Sequence, residues 1–205
     1  MRLSQLSEGT MNKPVLPRHS VGIRSFLITT TMLVVTGPLA ISMSGGGSAV
    51  AAATDATEMH RYKNDQWKFE LDVPTGWVVT PPDLTNSPGE IIRIKSDENG
   101  KHNLIIFRQS VGPGKDAKRL TDESQRFLAK NGFSNFVSGE SVIGSHKVMT
   151  LDFERRTQEG GMWYCRHYIV VADSKAYVLG FGTTNREAMS ETYDRMAKSF
   201  VFQNT

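Results

Sequence analysis

Between residues 67 and 77 the chain reads WKFELDVPTGW, so that Trp67, Phe69, Leu71 and Val73 alternate with Lys68, Glu70 and Asp72. A period of two is the mark of a half-buried strand, here predicted over 67–73, and Pro74 and Gly76 end it. Further strands are predicted over 77–80, 91–95, 104–109, 133–137, 147–156, 163–172 and 176–182. Asn99-Gly100 supplies the positive φ angles of a tight turn between 91–95 and 104–109, and Asp173-Ser174-Lys175 links the last two strands. The loop 81–90, PPDLTNSPGE, carries three prolines. After Gly112-Pro113-Gly114 a helix is predicted, capped by Asp116 or Thr121 and stopped beyond Asn131 by Gly132, with Leu120, Phe127 and Leu128 turned inward. Thr184-Asn185-Arg186-Glu187 fits a capping box opening a second helix, on which Met189, Tyr193 and Met196 form one apolar face. That helix ends near Lys198, and 199–202 returns as a short strand. Strands interrupted by two helices, with no β-α-β repetition, predict an α+β fold in which helices pack on an antiparallel sheet.

The strand running into Pro74-Thr75-Gly76-Trp77, together with the closing MAKSFVF at 196–202, resembles the PsbP-like family. The resemblance spans most of 60–202, and its motifs are structural. It implies an α-β-α sandwich domain that works outside the cytoplasm. Members of the family serve different partners on one fold, so the resemblance implies no particular chemistry.

The first 53 residues have a different character. Arg2, Lys13, Arg18 and Arg24 precede an uncharged stretch over 25–43, and Ala49-Val50-Ala51 and Ala51-Ala52-Ala53 offer small-residue cleavage sites. This is the pattern of an export signal, with 25–43 as the alternative of a retained membrane anchor. Residues 54–65 are polar and aperiodic and read as a flexible leader to a single domain over 66–205. The expected location is extracytoplasmic, periplasmic or secreted, or the thylakoid lumen if the source is photosynthetic.

Charge follows the same boundary. Residues 1–53 hold four of the 24 Lys/Arg and one of the 21 Asp/Glu, which leaves twenty of each in the remainder. The overall charge of +3 therefore belongs to the N-terminal segment, and a nucleic-acid-binding domain, which would keep a basic excess, is disfavoured. A single cysteine, Cys165, rules out an internal disulfide, and stability must come from packing.

Candidate chemistry is sparse. Cys165 and His167 lie two apart on one face of a predicted strand, where a thiolate and an imidazole can ligate metal or serve as nucleophile and base. Trp163, Ile169 and Val171 share that face, and the blander reading is a buried structural cysteine. Arg155, Arg156 and Arg166 would cluster if strands 147–156 and 163–172 pair. Arg156 and Arg166 are then candidates for an acidic partner, against the alternative of a solvated sheet face with Asp152 and Glu154 as neighbours. Lys115, Lys118 and Arg119, with Arg126, make a second basic group on the first helix, either a docking site or an ordinary soluble surface. Gly180, Gly182 and Thr183-Thr184 invite a phosphate-binding reading, but lack the lysine and spacing of a phosphate loop; close packing and helix capping account for them.

Three functions follow in order of preference. The first is an exported, non-catalytic module that binds a protein partner or an envelope complex, without a cofactor. The second is a small-ligand carrier or sensor in which Trp77 and Trp163 wall a cleft beside the 81–90 loop. The third is a hydrolase using Cys165 and His167.

Overall fold

Phe69, Leu71 and Val73 are fully buried while Glu70 and Asp72 face outward, so the alternation in the sequence is realised as strand β2, Phe69–Pro74. The computed structural model describes residues 58–96, 101–187 and 189–203. The predicted signal at 1–53 and the Asn99-Gly100 turn lie outside the described residues. Strand β1, Met59–Asn64, pairs antiparallel with β2, with Tyr62 opposite Leu71 and Lys63 opposite Glu70. Residues 59–64, expected within the leader, thus form part of a sheet. The strand escapes a hydrophobicity pattern because its outer face is held by charge: Arg61 reaches Glu70 at 3.3 Å and Asp72 at 3.1 Å, and Lys63 reaches Glu70 at 3.1 Å. On the other side of β2, the short strand β10, Val201–Phe202, completes a three-stranded sheet, and the Gln203 N–H donates to the Lys68 carbonyl.

The larger sheet has seven antiparallel strands in the order β3-β4-β5-β9-β8-β7-β6. They are β3 Val78–Thr80, β4 Glu90–Lys95, β5 His102–Ser110, β6 Ser134–Ile143, β7 His146–Arg156, β8 Met162–Ala172 and β9 Lys175–Thr183. The last four form the expected meander, with Asp173 (φ 49°) and Ser174 (φ 59°) turning β8 into β9. Strand β6 runs six residues past its predicted end at 137, because Ser, Gly and Glu alternate there with few apolar positions. It begins with a bulge at Asn135 (φ 54°).

Helix α1, Ala117–Lys130, starts where the Asp116 carboxylate accepts the Arg119 N–H at 2.8 Å, and Gly132 (φ 82°) ends it as expected. The second helical segment differs from expectation. Thr184 is exposed and forms no capping box. Instead the Thr183 hydroxyl accepts the Asn185 N–H at 2.9 Å and the Asn185 side chain accepts the Glu187 N–H at 3.1 Å. A π-helical turn, Met189–Tyr193, follows and passes into α2, Asp194–Lys198. The apolar triad on this segment is buried as its spacing requires, with Met189, Tyr193 and Met196 at or below 7% exposed.

Three layers result. One face of the seven-stranded sheet carries α1, packed through Leu120, Leu128 and half-buried Phe127. The other face carries the three-stranded sheet and α2, and the main core lies between them, built from Phe69, Leu71, Ile94, Leu104, Leu179, Phe181, Tyr193 and Phe200. Burying large apolar side chains on both faces of the central sheet is the main stabilising term, at about 25 cal/mol per Å² of apolar surface.

Candidate functional site

Strand β8 places Trp163, Cys165 and His167 on the α1 side of the sheet, directly over Gly182 and Gly180 of β9. The glycines make room for flat rings. A Cβ built at Gly182 would meet the Trp163 indole at 2.6 Å, and one at Gly180 would meet the His167 imidazole at 3.2 Å. The His167 ring also stands edge-on to Phe153, with centroids 4.7 Å apart. Their close packing leaves no phosphate cradle at these glycines.

Burial sets the chemistry of this pair. Cys165 and His167 are 4% and 5% exposed. Desolvation pushes the Cys165 thiol far above the ordinary thiol range, a shift that the Arg155 charge only partly opposes. The same burial pulls the imidazole of His167 down to about 4, and its Nδ1 has no hydrogen-bond partner. At neutral pH the pair is therefore a protonated thiol beside a neutral imidazole, the opposite of the thiolate and imidazolium that nucleophilic catalysis uses. Among the described residues no group of three His, Cys, Asp or Glu side chains is placed to hold a metal ion.

The three arginines separate. Arg155 lies on the α1 side, its guanidinium 4.8 Å from the Phe133 ring centroid. Arg166 lies on the α2 side opposite Asp152, the cross-strand neighbour expected from the sequence. It donates Nε to Asp152 Oδ1 at 2.6 Å, Nη2 to Oδ2 at 2.7 Å, and Nη1 to Asp194 Oδ1 at 2.7 Å and to the Met189 carbonyl at 3.3 Å. The Tyr168 hydroxyl donates to the same Asp194 carboxylate, and desolvation, with that carboxylate beside it, pushes its pKa up. Arg166 thus fastens the π-helical turn to the sheet. Arg156 is exposed on the same face at the far end of β7, four residues from Asp152 and so about 13 Å along the strand.

At the start of α1, three cations of the basic group have a carboxylate nearby. Lys115 reaches Glu123 at 2.7 Å, Lys118 reaches Asp122 at 3.3 Å and Arg119 reaches Glu123 at 3.4 Å. Trp77 and Trp163 lie on opposite faces of the central sheet and wall no common cleft. Trp163 packs with Leu128, Phe133 and Phe153 under α1. Trp77 packs against the core on the other side, its ring 6.3 Å from both His102 and Tyr193.

Two features were not anticipated from the sequence. The first is a polar and aromatic knot around Tyr193, the last residue of the π-helical turn. The Tyr193 hydroxyl donates to the Gly182 carbonyl at 2.9 Å, and His102 Nδ1 lies 2.8 Å from the Thr183 hydroxyl and 3.2 Å from that of Tyr193. Tyr193 is fully buried and desolvation pushes its pKa up. His102 had no motif spacing, and only the fold brings positions 102, 183 and 193 together.

The second is a rim of exposed apolar side chains. Val78 (56% exposed) and Val79 (40%) sit on β3, the edge strand nearest Trp77, and Leu84 (62%) projects from the Pro-rich loop that follows. This loop is braced from within, where the Ser87 N–H donates to the Asp83 carbonyl at 2.9 Å and Asp83 also holds Asn86. It is anchored to the sheet where the Gly89 carbonyl accepts the Arg108 N–H at 2.8 Å. Where the loop enters β4, the buried Glu90 carboxylate takes two hydrogen bonds from Arg93, at 2.8 and 2.7 Å.

The fold has counterparts among solved structures. It matches the solution structure of a cyanobacterial PsbP (CyanoP) from Synechocystis sp. PCC 6803 with a TM-score of 0.54 and 16% identity, over 77% of this chain and 98% of that one. A Bacteroides thetaiotaomicron protein matches with a TM-score of 0.50 and 10% identity, over 70% of this chain and 48% of that one. LpqN of Mycobacterium tuberculosis, described as involved in cell envelope biogenesis, matches at 0.49 and 16% identity, over 74% and 88% of the two chains. No family model and no curated protein sequence matches. The architecture is a PsbP-like fold, α+β and mostly antiparallel, as the strand–turn signature over 67–77 led us to expect.

Proposed function

We propose that this protein is an exported, non-catalytic module that binds a protein partner or an envelope complex through the rim formed by Val78, Val79 and Leu84 beside Trp77. The observation that carries the reading is where the surface leaves apolar groups in water. Arg166, Cys165 and His167 are engaged inside the fold, whereas Val78 and Val79, one on each face of edge strand β3, and Leu84 of the loop that follows stand exposed. Exposed apolar groups on an edge strand, with its unpaired backbone groups, are a feature that protein partners recognise. The export part of the proposal rests on the basic and then uncharged composition of residues 1–43. Lys118 and Arg119, whose pairs with Asp122 and Glu123 are solvent-exposed and weak, and exposed Arg156 would add electrostatic steering toward an acidic partner.

In-cell cross-linking of the tagged protein, followed by mass spectrometry, tests this. One dominant partner lost in Val79→Lys/Leu84→Lys supports the rim. A partner kept by that variant but lost in Lys118→Glu/Arg119→Glu moves the surface to α1, and no partner above background overturns the reading.

A further inference from the structure

The opposite edge of the seven-stranded sheet carries a separate message. Strand β6 is ten residues long and, among the described residues, pairs on one side only, with β7. Protected edges carry lysine, proline or inward charge. β6 has the bulge at Asn135 and the single charge of Glu140, and it exposes Val137 (65%) and Val142 (56%). We infer that β6 is a homodimer edge, pairing antiparallel with β6 of a second copy about a two-fold axis at Gly139, so that the two sheets join into one.

The register follows from symmetry. A two-fold axis normal to the sheet pairs residues of the same face, so one residue must sit opposite its own copy. A centre at Glu140 sets two carboxylates face to face, which is repulsive. A centre at Ser138 puts Glu140 opposite the partner's Phe136. The Gly139 centre places Glu140 opposite the partner's Ser138, Val137 opposite the partner's Ser141 and Val142 opposite the partner's Phe136. Each exposed valine then gains a cross-strand neighbour and no like charges meet. Gly139, whose added Cβ would lie 3.0 Å from the Thr150 hydroxyl, puts no side chain on the axis. The α1 layer fits as well. α1 lies chiefly over β7, so at a strand spacing of about 4.8 Å the two α1 helices stand about 14 Å apart, beyond the 8–10 Å of packed helices.

Sedimentation equilibrium of the full chain over a wide concentration range tests the inference, with Ser138→Glu and Ser138→Lys as a matched pair at an exposed position. The wild type should dimerise reversibly. The glutamate variant, facing the partner's Glu140 twice, should weaken the dimer, and the lysine variant should tighten it, leaving the two dissociation constants roughly ten-fold apart. A monomer at every concentration, or an equal effect of both substitutions, overturns it. Neither outcome bears on the β3 rim, which lies at the other edge of the sheet.

Discussion

Arg166 and Asp152 face each other across β8 and β7 in a two-pronged ion pair, and the remaining Arg166 nitrogen crosses to Asp194 at the first residue of α2. A cation that the sequence offered as a docking group is thereby a clamp between sheet and helix. Removing it leaves the Asp152 and Asp194 carboxylates without their counter-charge. Arg166→Met should lower the unfolding free energy by about 2 kcal/mol, less than for a fully buried pair because the cluster is partly solvated. Urea titration measures it, and a change below about 0.5 kcal/mol would contradict the clamp.

His167 gives the protein an acid-sensitive core. Its imidazole titrates near 4 when folded and near the ordinary 6.5 when unfolded. The unfolded chain therefore takes up the proton first, so stability is intact above about pH 6.5 and is lost as pH falls toward 4, by about 3 kcal/mol in all. Glu70 and Glu123 are carboxylates held below their ordinary range, chiefly by hydrogen bonds from Gln203 and Lys115 respectively. His167→Leu removes both the titration and the unpartnered Nδ1. Thermal melts from pH 7.5 to 4 should show a slope in the wild type that flattens in the variant.

Cys165 should be inert while the protein is folded. Burial and a raised pKa deny it the thiolate that alkylating reagents attack. Reaction with a disulfide reagent is expected only at the rate of unfolding, rising with urea in step with loss of structure. Rapid labelling of the native protein at pH 7 would instead indicate an accessible nucleophile.

Gly182→Ala should be costly although the substitution is small. The new methyl meets the Trp163 indole below 3 Å, with Cys165 beside it on the same strand, so ring and strand must both shift. The expected loss is about 1–3 kcal/mol. In a Trp67→Phe/Trp77→Phe background, a red shift of Trp163 emission would report the displaced ring.

The fold was legible where one period dominates. β2, β7, β8 and β9 carry runs of apolar residues whose alternation survives, and α1 announces both ends through Asp116 and Gly132. β1 was not legible, since Arg61 and Lys63 are there to meet Glu70 and Asp72 across a strand boundary that a linear pattern does not display. The second helix misled for a related reason. Thr184 and Glu187 have capping-box spacing, but Thr183, already facing the interior beside His102, takes the capping role at Asn185, and the chain winds first as a π turn. For the candidate site, spacing placed Cys165 and His167 on one face, and the apolar Trp163, Ile169 and Val171 on that face pointed to the burial that the structure shows for both. The separation of Trp77 from Trp163 depends on which side of one sheet each enters, and parity along distant strands becomes comparable only once the register is known.

The small sheet imposes an order of events on the chain. β2 has β1 beside it from the start, but its other neighbour is β10, with Phe202 opposite Phe69, and the Asp72 N–H donates to the Ser199 hydroxyl at 2.7 Å. A polypeptide emerging N-terminus first, from a ribosome or through a membrane pore, carries Phe69, Leu71 and Val73 past the exit more than a hundred residues before Val201 and Phe202 arrive. The central meander can assemble meanwhile, whereas the layer that seals the main core waits for the last strand. That apolar edge stays unsealed during emergence for a time set by the rate of translation or translocation rather than by folding itself.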